Sequence, residues 1–219
     1  VVLVGRDEER GRAALVGLSA GKHAHFVSAD VRRRVDCARV LEETVRVFGT
    51  LDVLINSAGI YAEGALDDLA EELLEDLLAT NVKGNFYLTQ AALPHLRETH
   101  GNIVSVASDA GLHGNYFCAA YAATKGAVIA FTRSLALELA CDYVRVNAVA
   151  PADVLTPLTE RQFSPLLPRA EQLCAMAAHY PMGRIGSPEE IAAVIAFLAS
   201  PAASWVTGSI YCVDGGLTA

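Results

Sequence analysis

A tyrosine and a lysine four residues apart, Tyr121 and Lys125, are well suited to proton transfer. Residues four apart share a helix face, so on a helix both side chains can point into one site. A free tyrosine ionises near pH ~10, which is too high for a base at neutral pH. A neighbouring ammonium favours the phenolate, so the spacing predicts an acid/base tyrosine whose pKa the lysine lowers. The pair alone is weak support, because many surface helices contain it by chance.

Further polar residues lie where a parallel sheet would bring them to the same edge. Ser108 follows an apolar strand-like run, and its hydroxyl can donate to a substrate carbonyl. The segment Asn56-Ser57-Ala58-Gly59 closes another such run, and Asn81 precedes Val82-Lys83-Gly84 at a break in a helical pattern. Active sites in parallel sheets lie at the carboxyl ends of the strands, so we expect these residues to meet Tyr121 and Lys125 there.

The elements that position these residues follow from the apolar periodicity. Apolar runs predict strands over residues 1–4, 25–28, 51–56, 102–107, 144–149 and 209–213. Helical spacing predicts helices over 7–18, 36–48, 66–99, 119–140 and 188–199, with Thr80-Asn81 dividing the third and Pro94 kinking or ending its second half. Strands alternating with helices predict an α/β fold with a doubly wound, Rossmann-like parallel sheet and helices on both faces. We expect a single domain over 1–219, in which the proline-rich segment 151–187 forms a substrate lid.

Composition excludes several classes of protein. The chain has 219 residues, of which 53% are hydrophobic and 19% charged, so it is not a disordered chain. A net charge of −8 argues against nucleic-acid and membrane partners. The five cysteines are scattered without a C-x-x-C pair, and the histidines show no metal-ligand spacing, so we expect reduced thiols, no metal site and a cytoplasmic location. A targeting segment before Val1 stays open.

In their order and spacing, these motifs resemble the short-chain dehydrogenase/reductase family. The resemblance rests on N-S-A-G from Asn56, N-V-x-G from Asn81, Ser108, Y-x-x-x-K from Tyr121, and N-A-V-A-P from Asn147. It extends from Val1 to Asp214-Gly215-Gly216. It implies an NAD(P)-dependent oxidoreductase that interconverts a carbonyl and a secondary alcohol by hydride transfer.

The resemblance also implies a role for each catalytic residue. Tyr121 is the acid/base that protonates the carbonyl oxygen or takes the alcohol proton. Ser108 hydrogen-bonds that oxygen, and Lys125 lowers the tyrosine pKa and holds the nicotinamide ribose. Asn81 positions a water that links Lys125 to solvent.

Other matching positions imply contacts with the cofactor. Asp30 and Val31 match the pair of residues that binds the adenine. The loop along the adenosine ribose is matched by Asn56, Ala58 and Gly59. Val154 and Thr156 match the residues that contact the nicotinamide amide and the phosphate, and Tyr121 and Lys125 are also expected to bind the cofactor. Two alternatives stay open, since Asp30 can be a helix N-cap and Asn56 can be purely structural. The chain has Pro151-Ala152 where the family usually has Pro-Gly, which is strained only if residue 152 needs a positive φ.

The end of the first strand bears on cofactor preference. Members of the family that prefer NAD place an aspartate there, whereas this chain has Gly5 followed by Arg6. Arg6 can pair with a 2′-phosphate, and Asp7 can cap the next helix. We therefore expect NADP to be preferred, with NAD possible.

A glycine-rich segment of the form T-G-x-x-x-G-x-G, which holds the pyrophosphate in this family, does not occur in the sequence. The strand 1–4 matches the family's second strand, so we expect the first βα unit to be absent from the chain as given. A protein beginning at Val1 is then expected to be aggregation-prone and to bind NADP poorly. The alternative function is a non-catalytic, truncated chain that acts through oligomeric association.

The sequence also predicts the kind of substrate and the oligomeric state. A small-molecule carbonyl or alcohol of unknown identity is expected, with an apolar or mixed pocket lined by Leu155, Leu158, Phe163, Leu166, Leu167, Met176, His113, Tyr116 and Phe117. The helices over 82–99 and 119–140 are apolar nearly all round, and the family pairs these helices between subunits. We expect a homotetramer, with a dimer next in order.

Overall fold

The computed structural model describes residues 1–18 and 23–219, and strands alternate with helices along this part of the chain. The strands are β1 Val2–Gly5, β2 His25–Ser28, β3 Val53–Asn56, β4 Asn102–Val106, β5 Arg145–Pro151 and β6 Ile210–Val213. The helices are α1 Glu8–Leu18, α2 Arg34–Phe48, α3 Glu71–Leu77, α4 Gly84–Thr99, α5 Ala119–Leu139, α6 Pro157–Glu160, α7 Arg169–Ala177 and α8 Pro188–Ala199. The predicted bounds of β2 and α8 are confirmed, and the other predicted strands, α1, α2 and α5 differ by at most two residues at an end.

In the described part of the chain all strand pairing is parallel, and the strands form two sheets. The strands β3, β4, β5 and β6 form one sheet in that order, while β1 pairs with β2. Within the described residues, β1 and β3 each have one strand neighbour. Val4 on β1 and Ile55 on β3 are both 38% exposed, although each lies in a strand of apolar residues.

Helices cover both faces of the larger sheet, as the apolar runs predict. Adjacent residues of a strand point to opposite faces, and β4 shows this directly. Ile103 packs into a core cluster with residues of α2, α4 and α5, whereas Val104 packs with Ile191 and Leu198 of α8. The Rossmann-like fold class is therefore confirmed.

The long helical pattern over residues 66–99 is interrupted where Thr80-Asn81 predicts a break. Helix α3 passes into a π-helical turn, Leu78–Lys83, from which α4 continues. The prediction for Pro94 is wrong where it has the helix end, because α4 continues beyond it to Thr99. Ala92 and Leu96 on either side are fully buried, and this packing offsets the backbone hydrogen bond that proline cannot donate.

The segment 151–187 contains the short helices α6 and α7, which the sequence did not predict. Val154 forms an isolated parallel bridge to Gly186, so the two ends of the segment lie side by side. Among the helices described, none is long and apolar enough to cross a bilayer.

A close contact joins the turn after β4 to α5. The turn Asp109–Gly111 packs on α5 so tightly that a Cβ atom on Gly111 would lie 2.7 Å from the carbonyl carbon of Lys125 and 2.8 Å from the nitrogen of Gly126. Glycine at 111 therefore sets the distance between the end of β4 and the helix that carries Tyr121 and Lys125.

We expect Gly111→Ala to lower the free energy of unfolding by about 1–3 kcal/mol, because the added methyl group would push the turn away from the backbone of α5. Gly114→Ala is the matched control, since a Cβ at Gly114 meets nothing within 4 Å. Its effect should stay within about 0.5 kcal/mol. Urea unfolding of both variants measures the difference, and equal losses would contradict the packing argument.

Candidate active site

Helix α5 brings Tyr121 and Lys125 to one cavity of about 930 Å³, which both residues line. The side chain of Lys125 is buried, and its Nζ donates a hydrogen bond of 2.8 Å to the carbonyl oxygen of Val106 at the end of β4. The same Nζ lies 5.7 Å from the centroid of the Tyr121 ring. The predicted convergence of the pair is therefore present in the structure.

The electrostatics of the pair differ from the sequence prediction. Burial lowers the pKa of Lys125 to about 8. Burial also raises the pKa of Tyr121 to about 12, and the hydrogen bond with Ser108 opposes this rise. The prediction that the lysine lowers the tyrosine pKa does not describe this structure, because the desolvation of the phenolate dominates and the ammonium is engaged by a main-chain carbonyl.

Ser108 follows β4 and caps the turn that comes after it. Its Oγ accepts a hydrogen bond from the Ala110 nitrogen at 3.2 Å and donates one to Oδ1 of Asp109 at 2.8 Å. Ser108 lines the same cavity as Tyr121, and both Ser108 and Asp109 are buried. The serine hydroxyl is thus held from two sides where it lines the cavity.

Asn81 lies beside the cavity on the π-helical turn and is not among the residues that line it. Its Oδ1 accepts from the Ile60 nitrogen at 2.8 Å, and its Nδ2 donates to the Ile60 carbonyl at 2.9 Å and to the Thr124 hydroxyl at 3.0 Å. A Cβ on Gly59 would lie 3.4 Å from Asn81 Oδ1 and 3.6 Å from Lys125 Nζ, so these two polar atoms flank the same glycine. Asn81 therefore ties the loop after β3 to α5 beside the lysine.

Part of the expected cofactor set lies at this cavity. Gly59, Val154 and Thr156 line it together with Tyr121 and Lys125. Ala152 has no positive φ, so the departure from Pro-Gly causes no backbone strain. These residues fit a nicotinamide and its ribose, because a glycine leaves room for close approach and the hydroxyls and the amine can bind polar groups.

The other expected cofactor residues do not line the cavity. Asn56 is buried and bonds through Nδ2 to Thr89 at 3.1 Å, which agrees with its structural alternative, but its Oδ1 has no partner within the described residues. Ala58 is exposed in the loop that follows.

Arg6, Asp30 and Val31 lie at the carboxyl ends of β1 and β2. The Asp30 carboxylate accepts from Nε and Nη2 of Arg32, at 2.9 and 2.7 Å for Oδ2, and Arg32 holds its pKa below the usual value, with a smaller contribution from Arg6. Asp30 is not the cap of α2, whose N-cap residue is Arg33. Val31 packs against Gly84, where a Cβ would lie 2.9 Å from the valine Cγ2.

The acidic and aromatic groups of the cavity were not predicted from the sequence. Its lining includes Tyr61, Glu63, Asp109, Cys118, Asp153 and Tyr180. Asp109 and Asp153 directly follow Ser108 and Ala152, so position after a strand end was a signal that could have found them. Of the residues expected to line the pocket, Leu158 and Tyr116 do so, whereas Leu155, Phe163, Leu166, Leu167, Met176, His113 and Phe117 are not among the lining residues. In residues 1–18 and 23–219, no group of three or more His, Cys, Asp or Glu is placed to hold a metal ion.

Comparison with known proteins identifies the family of this site. The family model described as enoyl-(acyl carrier protein) reductase matches residues 1–218. The chain is 41% identical to 3-oxoacyl-(acyl-carrier-protein) reductase of Thermotoga maritima over 189 residues, which cover 86% of this chain and 74% of that protein. It is 39% identical to L-fucose dehydrogenase of Mus musculus over 218 residues, which cover 99% of this chain and 78% of that protein.

Solved structures give the same family likeness. A complex of actinorhodin polyketide ketoreductase with NADPH superposes with a TM-score of 0.94 at 36% identity, covering 99% of this chain and 87% of the other. The 3-ketoacyl-(acyl-carrier-protein) reductase of Brucella melitensis in complex with NADH superposes with a TM-score of 0.89 at 32% identity, covering 100% and 88%.

The buried lysine predicts a specific pH dependence of stability. The pKa of Lys125 falls from 10.5 to about 8 on folding, so between these pH values the unfolded state binds more protons than the folded state. The free energy of unfolding of the wild type, relative to Lys125→Met, should therefore rise with pH across this window, by at most roughly 3 kcal/mol. Urea unfolding at several pH values measures this difference.

Lys83→Met is the matched control, because the Lys83 side chain is 51% exposed on the surface. This variant should keep the pH dependence of the wild type. Parallel stability curves for the wild type and Lys125→Met would show that the ammonium is not desolvated.

Proposed function

The chain belongs to the short-chain dehydrogenase/reductase family and is an NAD(P)-dependent oxidoreductase acting on the CH–OH/C=O pair, and on this basis we propose that Tyr121, Ser108, Lys125 and Asn81 carry out its proton chemistry. The observation that carries the proposal is the presence of a tyrosine hydroxyl, a serine hydroxyl and a buried lysine at one cavity. A scaffold that only associates has no physical need for a desolvated lysine beneath such a cavity.

In the direction of reduction, Tyr121 is the general acid. Its raised pKa keeps the hydroxyl protonated at neutral pH, so a proton is available for the substrate oxygen. When substrate is bound, the single proton of the Ser108 hydroxyl, which otherwise bonds Asp109 Oδ1, is proposed to turn to the same oxygen and stabilise its developing charge. Bound nicotinamide supplies or accepts the hydride, which is chemistry that no side chain here provides.

In the direction of oxidation, Tyr121 must lose its proton to act as a base. Lys125, whose pKa lies near 8, can take up and release a proton close to neutral pH. Asn81 Oδ1 and Lys125 Nζ both lie beside Gly59. We propose that Asn81 and Lys125 connect the site to solvent, with the asparagine positioning a water. The residues of segment 151–187 that line the cavity are proposed to cover the substrate.

We expect Tyr121→Phe to lower kcat by about 10²–10⁴-fold, because the ring is retained but the transferable proton is lost. Circular dichroism should show an unchanged fold. Tyr143→Phe is the control, since Tyr143 is 75% exposed and does not line the cavity. Steady-state rates with a generic ketone measure the effect, and near wild-type turnover by Tyr121→Phe would refute the assignment.

NADP is the proposed cofactor, with NAD as the alternative. The support is Arg6, which is exposed at the end of β1 and close enough to Asp30 to lower its pKa. Asp7, the next residue, accepts a hydrogen bond from the Arg10 nitrogen at 3.0 Å and so caps α1. Because the Asp7 carboxylate caps the helix, we propose that the guanidinium of Arg6 is available to bind a phosphate.

Arg6→Ala should weaken NADP binding by about tenfold to a hundredfold, which is the loss expected for a hydrogen bond to a charged group, and should weaken NAD binding much less. Arg12→Ala is the control, because Arg12 pairs with Glu8 on the surface of α1. Calorimetric titration with each cofactor measures both affinities. Equal losses for NADP and NAD would assign Arg6 to local packing.

A homotetramer, or next a dimer, is the proposed assembly, and the proposed location is the cytoplasm. Phe86 of α4 and Phe131 of α5 pack with ring centroids 4.3 Å apart, yet Phe86 remains 47% exposed. Leu137 of α5 is 82% exposed. Apolar side chains exposed on two adjacent helices support pairing of these helices between subunits.

A further inference from the structure

Carboxylates dominate the charge of the cavity around Tyr121. Glu63, Asp109 and Asp153 all line it. His179 also lines the cavity, and Lys125, a further lining residue, has a buried ammonium that already donates to the Val106 carbonyl. The charge that faces a substrate is therefore mainly negative.

Asp109 is a buried carboxylate beside the catalytic serine. The residue is 7% exposed, its Oδ1 lies 2.8 Å from Ser108 Oγ, and its Oδ2 lies 3.4 Å from Asn115 Nδ2. In the part of the chain that the structure describes, no lysine, arginine or histidine forms an ion pair with it. Buried carboxylates usually have a cationic partner or several hydrogen-bond donors, so a donor group on the substrate would give Asp109 a further hydrogen bond.

Asp153 approaches the cavity from the end of β5. Its Oδ2 accepts from the Tyr180 hydroxyl at 2.7 Å, and its nitrogen donates to the same oxygen of Tyr180 at 3.1 Å. These bonds fix the carboxylate in place. Among the described residues, no donor is bonded to its Oδ1, so one acceptor oxygen of a fixed, half-buried carboxylate is available.

The negative charges of Asp109 and Asp153 both act on the hydroxyl of Tyr121. Burial is the main cause of the raised pKa values of Tyr121 and Tyr180, and the charges of Asp109 and Asp153 add to the rise in both. A substrate that touches Tyr121 and Ser108 must therefore lie in the field of both carboxylates. A carboxylate accepts hydrogen bonds and repels anions, so this field favours N–H and O–H groups and disfavours negative ones.

We propose that Asp109 and Asp153 determine substrate specificity by forming a donor-binding, anion-excluding subsite. The preferred substrate is a secondary alcohol, or its ketone, with a hydroxyl or ammonium group next to the reacting carbon, as in a vicinal diol or an amino alcohol. This inference rests on the proposed function of Tyr121 and Ser108. Because Asp109 contacts Ser108 directly, a group bound to the carboxylate lies close to the reacting oxygen.

The test uses alcohols of one carbon skeleton: propane-1,2-diol, 1-aminopropan-2-ol, propan-2-ol and lactate. We expect kcat/KM for the diol, the amino alcohol or both to exceed that for propan-2-ol by about tenfold or more. Lactate should fall below propan-2-ol by a similar factor, because its carboxylate meets like charge. A higher value for the amino alcohol identifies the bound donor as ammonium, and a higher value for the diol identifies it as hydroxyl.

Asp153→Asn and Asp109→Asn test the two residues. Asparagine keeps an oxygen that can accept from Tyr180 or Ser108 but removes the negative charge. Each variant should lower the ratio of kcat/KM for the preferred donor substrate to that for propan-2-ol, and raise the ratio for lactate. Glu171→Gln, which removes a carboxylate on α7 that does not line the cavity, should leave both ratios as in the wild type.

Ligand-observed NMR titration of the four compounds gives a readout that does not depend on turnover. The affinities should follow the order expected for kcat/KM, with the donor compounds above propan-2-ol and lactate below it. The inference is therefore decided even if no compound is oxidised. Absence of turnover with the expected affinity order would count against the proposed function alone. Turnover or binding of lactate equal to that of propan-2-ol, or no advantage for either donor compound, would overturn the subsite.

Discussion

A lysine ammonium buried against the carbonyl at the end of a β-strand is the constraint on which this active site depends. Burying the side chain of Lys125 is costly, and a single main-chain acceptor, the oxygen of Val106, compensates for part of that cost. The bond ties α5 to β4 at one point. Ser108 lies two residues beyond Val106, and Tyr121 lies one helical turn before Lys125, so the same bond sets the separation of the two hydroxyls proposed to be catalytic. Gly111 permits the close approach that this bond requires.

Much of the fold could be predicted because each element has a simple apolar pattern. The alternating faces of β4 and the capping of α8 by Ser187 with Glu190 are local features that the sequence expresses directly. Of the two effects predicted for Pro94, a kink or an end of the helix, the end was wrong, because the packing of Ala92 and Leu96 keeps α4 helical on both sides of it. The order of strands in the sheet and the two short helices of segment 151–187 depend on contacts between distant residues, and no local pattern encodes them.

The candidate site was predictable in its residues but not in its electrostatics. Tyr121, Lys125, Ser108 and Asn81 were found from spacing, because each has a fixed place on a helix or at a strand end. The pKa of Tyr121 depends on burial and on carboxylates that come from separate segments. The phenol of Tyr121 stays protonated at neutral pH, because burial and the charges of Asp109 and Asp153 all disfavour the phenolate.

The π-helical turn Leu78–Lys83 limits how the length of this chain can change in evolution. Each residue of a helix turns the chain by about 100°, so removing one residue from this turn would rotate all of α4 about its axis. The face with Asn85, Leu88 and Ala92, now buried, would then turn toward solvent. Asn81 would also leave the Ile60 backbone. Substitutions here change one contact, whereas a single-codon deletion would misalign α4 and displace Asn81 together.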